Sequence, residues 1–221
     1  AFASSRKFIW DAMAVKIGDK TPLAQSLYPK EGNPLWEKES TKAIKNTLEV
    51  YSERTFDYPY PTAYSIHAAN HGMEYPMICF NYGRPGKDGR YSQQTLAGMV
   101  NVIIHEDGHN FFRMIVNSDE RQWSWMDEGL NTFLDKETMR VRYPELFTGT
   151  RGTPKGIVPF MKGDKTYMRP IMSMSDNIRG EEFGPNAYYK PSAALTILRE
   201  TVMGPELFDL AFKEYAQRWT L

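Results

Sequence analysis

The most apolar stretch of the chain follows Ser92. Leu96, Met99, Val100, Ile103, Ile104, Phe111 and Phe112 cover nearly every side of a helix, predicting about six buried turns capped by Ser92. A second helical pattern starts near Trp125 and carries Leu130, Phe133 and Leu134, with Ser124 and Asp127 spaced as a capping box. Upstream, Leu35, Ile44, Leu48 and Tyr51 predict a helix to about residue 54, with Asn33 as N-cap and Pro34 at the first helical position. A further helix is predicted over about 188–203, closed by Gly204. Pro205 opens the last, with Leu207, Phe208, Ala211, Phe212 and Tyr215 on one face.

Strand signals are confined to the first half. KFIWDAMAVK (7–16) has strand-like content without clean alternation. PTAYSIHA and YPMICFNY read as strands joined by ANHGME, and the turn-rich GRPGKDGR follows. Residues 148–186, rich in Gly, Met, Arg and Lys, read as a long loop of the kind that shapes a pocket. The pattern is α+β and mostly helical, with a small mixed sheet. It is read as one domain, 1–221, with a sheet-containing half over 1–91 and a helical half over 92–221.

Composition narrows the partners. Lys+Arg and Asp+Glu balance at 27 each, so the basic excess of a nucleic-acid binder is missing. No apolar run has membrane-spanning length, and a single cysteine, Cys79, excludes an internal disulfide framework. Cys79, within MICF, reads as a small buried residue rather than a nucleophile. The opening AFASSRKFIW has neither an initiator Met nor a signal-peptide core, so the chain is expected to be a piece of a longer one. The compartment is not readable.

Candidate chemistry interrupts the apolar helix. His105 and His109 lie four apart, hence on one helical face, and can converge on one metal ion. Glu106 is turned by about 100°, out of line for direct ligation but able to reach a metal-bound water. A catalytic zinc takes a third protein ligand and leaves one position open. Glu128, separated from His109 by 18 residues, begins the next predicted helix and is the candidate, with Asp127 beside it to orient a ligand histidine. His67 and His71 share the four-residue spacing. On a strand, however, that spacing separates them by more than about 10 Å, and His67 reads as structural.

HEDGH, an 18-residue gap and WMDEGLNTFL together resemble the zinc aminopeptidase family that includes aminopeptidase N and leukotriene A4 hydrolase. NHGMEYP (70–76) is similar to the family's Gly-x-Met-Glu-Asn exopeptidase motif in a Gly-Met-Glu-Tyr-Pro form. AYYKPSAALTILRE (187–200) is similar to its Tyr-x-Lys-Gly helix. The resemblance implies a thermolysin-like catalytic domain with one zinc ion held by His105, His109 and Glu128, and Glu106 as general base. It also implies Tyr188 as oxyanion donor and Glu74, with Met73 and Gly72, binding the N-terminal end of a peptide substrate. Tyr189 is equally placed by local sequence; the family pattern selects Tyr188.

Departures are His71 and Tyr75 in the exopeptidase motif and Pro191 in place of the Gly after Tyr-x-Lys. The family's flanking domains are also missing, and the chain is expected to pack against them. The implied activity is removal of N-terminal residues from peptides. The rivals are a zinc endopeptidase of the same fold and an inactive zinc-bound module that binds peptides.

Overall fold

The computed structural model describes residues 1–69, 72–147, 152–163 and 168–221. His71, and the parts of the expected 148–186 loop at 148–151 and 164–167, lie outside the described residues. The chain forms two compact units: residues 1–111 with 138–147, and residues 112–137 with 148–221.

The first unit holds a four-stranded mixed sheet in the order β1 (Phe8–Ala14), β2 (Leu23–Pro29), β3 (Thr62–His67), β4 (Ile78–Asn81). β1 and β2 are antiparallel, whereas β2–β3 and β3–β4 are parallel. β2 escapes a reading based on alternation because its central residues, Ala24, Gln25 and Ser26, are all buried. Helix α1 (Leu35–Arg54) packs on the sheet and on α2 (Gln93–Gly108). Its buried polar positions are satisfied: Thr41 Oγ1 donates to Asp11 Oδ2 at 2.7 Å, and Asn46 Nδ2 to Tyr143 Oη at 3.0 Å. α1 starts one residue later than expected. Asn33 takes extended backbone and closes a short turn through its N–H to Lys30 O, leaving Pro34 as the cap residue.

Ser92 does cap α2, its Oγ accepting from Thr95 N at 3.0 Å. The helix is shorter than six turns, ending at Gly108 with His109 as its C-cap. Phe111 leaves the helical line to join an aromatic cluster with Tyr51, Phe56 and Tyr58, at ring separations of 5.3–5.5 Å.

The second unit is helical. A π-helical turn, Trp125–Gly129, leads into α3 (Leu130–Arg142), whose final turn belongs to the first unit. Ser124 is not the expected capping box: it has helical backbone and makes no side-chain cap, and its N–H donates instead to Ser175 Oγ at 3.2 Å. Within the expected loop lies α4 (Pro154–Lys162), capped by Thr153 and masked in the sequence by Gly156 and Pro159. From α5 (Gly180–Phe183) the chain stays helical to Met203 through a π turn at Gly184–Tyr189, α6 (Lys190–Ile197) and a π turn at Leu198–Met203. Gly204, with φ +85°, ends it as expected.

α7 (Pro205–Arg218) buries Phe208, Phe212 and Ala216, an i, i+4, i+8 stripe, while Leu207 and Ala211 face solvent. Phe208 and Phe212 pack on Phe133, and Phe212 on Phe112. Arg199 ties α7 to the preceding π turn through a bidentate pair with Asp209, at 2.7 and 2.9 Å. No helix among the described residues is long and apolar enough to cross a membrane.

Candidate functional site

In the first unit, the end of α2 presents two imidazoles to each other. His105 Nε2 and His109 Nε2 are 3.2 Å apart, with the rings at 87°. Two nitrogens bound at about 2.05 Å to one tetrahedral zinc would be separated by roughly 3.3 Å. The pair therefore has the spacing of two ligands to a single metal, which the i, i+4 step on one helical turn supplies.

Glu106, on the neighbouring face, is buried. Its carboxyl is raised to about 7, chiefly by burial and also by Glu74, hydrogen-bonded to it, against the downward pull of the two imidazoles. Glu74 reaches it from a narrow hairpin. Met73 and Phe80 exchange both backbone hydrogen bonds, at 2.9 and 2.8 Å, and Tyr75 and Ile78 close the turn. Pro76 followed by Met77 at φ +65° has the shape of a type II turn, which accounts for the Tyr-Pro ending of the motif. Asn110 Oδ1, next to His109, accepts from Met77 N at 2.7 Å and fastens the hairpin to the end of α2. Gly72 allows the close approach, because a Cβ there would collide with the Glu106 carboxylate and with Val102. Met73 stays partly exposed on the same hairpin.

Two residues beside the motif hold it without joining it. Cys79 is fully buried, and its Sγ donates to Glu106 O at 3.2 Å. Burial drives its thiol well above the usual range, consistent with a packing role. Asp107, also fully buried, has its carboxyl pushed well up by the same cause. The sequence pattern offered no signal for this buried acid, since its neighbours are the motif itself. His67 is buried against Trp36, and its Nε2 accepts from Arg84 Nε at 3.1 Å.

In the second unit, two π turns meet. Tyr188 Oη donates to Glu128 Oε1 at 2.6 Å, so of the two adjacent tyrosines it is Tyr188 that engages Glu128. The turns approach closely because Gly129 has no side chain: a Cβ there would strike the ring of Pro191 and the Ala187 carbonyl. Pro191, the departure from the Tyr-x-Lys-Gly pattern, fills the space that Gly129 leaves. Asp127 lies near Arg113, with Oδ2 3.7 Å from the guanidinium Nε. Sequence reasoning missed Arg113, whose backbone sits at φ +76°.

The chain joins an α+β fold to a His-Glu-x-x-His turn at the end of a buried helix. The chain belongs to peptidase family M1, whose domain model matches residues 39–221. Among solved structures it is similar to a mutant M1 zinc metallopeptidase from Deinococcus radiodurans bound to a Tyr-Ser-Ala substrate. The identity is 17% and the TM-score 0.67, covering 96% of this chain and 45% of that one. It is also similar to an aminopeptidase N family protein from Idiomarina loihiensis (10% identity, TM-score 0.69, coverage 96% and 41%). Native yeast LTA4 hydrolase is a third (17%, TM-score 0.61, coverage 95% and 34%). These likenesses are of fold, and the chain spans less than half the length of each.

Proposed function

We propose that this chain is the catalytic part of a zinc-dependent aminopeptidase, in which His105, His109 and Glu128 hold one zinc ion. The observation that carries the reading is the 3.2 Å separation of the two imidazole Nε2 atoms at the end of α2. The His-Glu-x-x-His-x18-Glu spacing and membership of family M1 support Glu128 as the third ligand. Two imidazoles and a carboxylate are a zinc donor set.

When bound, zinc acts as a Lewis acid on the scissile carbonyl and lowers the pKa of a water toward about 7. Glu106, whose burial favours taking up a proton near neutrality, receives the proton of the attacking water and passes it to the leaving amine. Tyr188 turns its O–H from Glu128 to the carbonyl oxygen as that oxygen gains charge. Glu74, with Gly72 and Met73 beside it, pairs with the substrate's α-ammonium and confines cleavage to the first residue.

Two experiments test this. A peptide with a free N-terminus is cleaved and its N-acetylated twin is not; equal cleavage of both would reject the exopeptidase assignment. Glu106→Gln lowers turnover by about 10²–10⁴-fold or more while the zinc content stays at one per chain. Turnover within a few-fold of the parent would remove Glu106 as the base.

A further inference from the structure

Residues 169–176 are fastened at both ends, each time beside one of the π turns of the second unit. At one end Lys190 Nζ donates to Arg169 O at 2.7 Å. Asn186 Nδ2 donates to Arg169 O and Pro170 O at 3.3 and 2.9 Å, and Arg169 Nε to Glu182 Oε2 at 3.4 Å. At the other end Ser175 N donates to Gln122 O at 2.8 Å, and Ser175 Oγ to the same carbonyl at 3.0 Å. Ser124, which immediately precedes the turn carrying Glu128, donates its N–H to Ser175 Oγ at 3.2 Å. Arg121 and Asp176 pair there as well, but both are largely exposed and the pair contributes little.

Asn186 and Lys190 stand two residues before and after Tyr188, and side chains two apart on a helical turn do not share a face. The two carbonyls are thus gripped from one side of the turn while Tyr188 leaves another to reach Glu128, Oη to Oε1 at 2.6 Å. Register is what such a grip secures. The turn is wide, with Lys190 N–H bonded to Pro185 O five residues back. A slip of one residue would swing Tyr188 by about 100°. Burial lowers the pKa of the Lys190 ammonium, and its charge makes the bond to Arg169 O a strong one. We propose that Lys190 and Ser175 are positioning residues for Tyr188: they pin the two ends of residues 169–176, so that the hydroxyl is held at a fixed reach from the turn that carries Glu128. The inference rests on Tyr188 being the oxyanion donor.

The test is steady-state cleavage of a peptide with a free N-terminus, beside zinc content and the amide hydrogen exchange of the metal-free protein. Lys190→Met keeps the apolar stem and removes the donor; Ser175→Ala acts at the far end, outside the helix that carries Tyr188. Lys190→Met is expected to lower kcat about 10–100-fold and Ser175→Ala at least about threefold, with KM within about twofold and one zinc per chain. Exchange over residues 184–190 rises in both. Added to Tyr188→Phe, neither lowers kcat by more than about a further twofold, because the hydroxyl they place is gone. Should Lys190→Met not fold, Ser175→Ala decides alone. Parental kcat or unchanged exchange in Ser175→Ala overturns the proposal. So does zinc lost from a folded variant, or a loss of kcat that adds in full to that of Tyr188→Phe. Tyr188→Phe separates the layers: parental kcat there removes Tyr188 as the donor, and the proposal with it. A large loss there beside parental kcat in the other two overturns the proposal alone.

Discussion

The three described histidines share a side chain and little else. His105 and His109 face each other across one helical turn, whereas His67 stands on β3, buried against Trp36 and accepting a hydrogen bond from Arg84. Spacing alone could not tell the two His-x-x-x-His pairs apart; the periodicity of the flanking residues could, because it distinguishes helix from strand. His67 also makes a titration prediction. Burial first, and the Arg84 charge second, lower its pKa from 6.5 to about 4. Between these values the unfolded chain binds a proton that the folded chain does not, so stability falls as pH drops from about 6.5 through about 4. In His67→Gln, which still offers Arg84 an acceptor, the loss of urea midpoint between pH 7 and pH 5 is smaller than in the parent. An identical loss would show that His67 does not carry the effect.

At the scale of elements, what the sequence revealed depended on whether one local rule acted alone. Ser92 capped α2 and Gly204 ended the α6 segment as read, since nothing competes with the cap or with the left-handed glycine. Ser124 obeyed a more distant partner, Ser175, fifty-one residues on. Strand β2 was hidden because its central residues are buried on both faces, and α4 because Gly156 and Pro159 dilute its propensity. π turns leave no composition signal, yet two of them carry Glu128 and Tyr188. Their packing predicts that Gly129→Ala destabilises the protein by about 1–3 kcal/mol, since a proline ring and a backbone carbonyl cannot move aside cheaply. Pro191→Gly in the same chain recovers part of that loss. A double variant that merely adds the two single losses in denaturation would refute the contact.

At the scale of the molecule, the His-Glu-x-x-His pattern was legible because it is a fixed set of residue types at fixed spacing, whereas the course of the chain through two compact units leaves no such pattern. Residues 138–147 belong to the first unit although most of its sequence ends at Phe111. They are held by side chains: Tyr143 Oη accepts from Asn46, the Tyr143 ring lies under Lys42, Arg142 pairs with Glu49 at 3.2 Å, and Gln93 donates to Glu145 O. Tyr143 is 2% exposed, so Tyr143→Ala is expected to cost about 3–5 kcal/mol, the range for emptying a buried aromatic site. Calorimetry would read it, and a loss below about 1 kcal/mol would mean that the segment rests on the unit without supporting it.

The boundaries at 111/112, 137/138 and 147/148 also set an order of events at the ribosome. When Phe111 has emerged, the sheet, α1 and α2 are present but the strip carrying Tyr143 is not. The first unit can close only after a further 36 residues have followed, by which time the opening segment of the second unit is already out and waiting for its own remainder. Neither unit can finish as a simple N-terminal domain does. His105, His109 and Glu128 are therefore all synthesised before either unit has its complete scaffold.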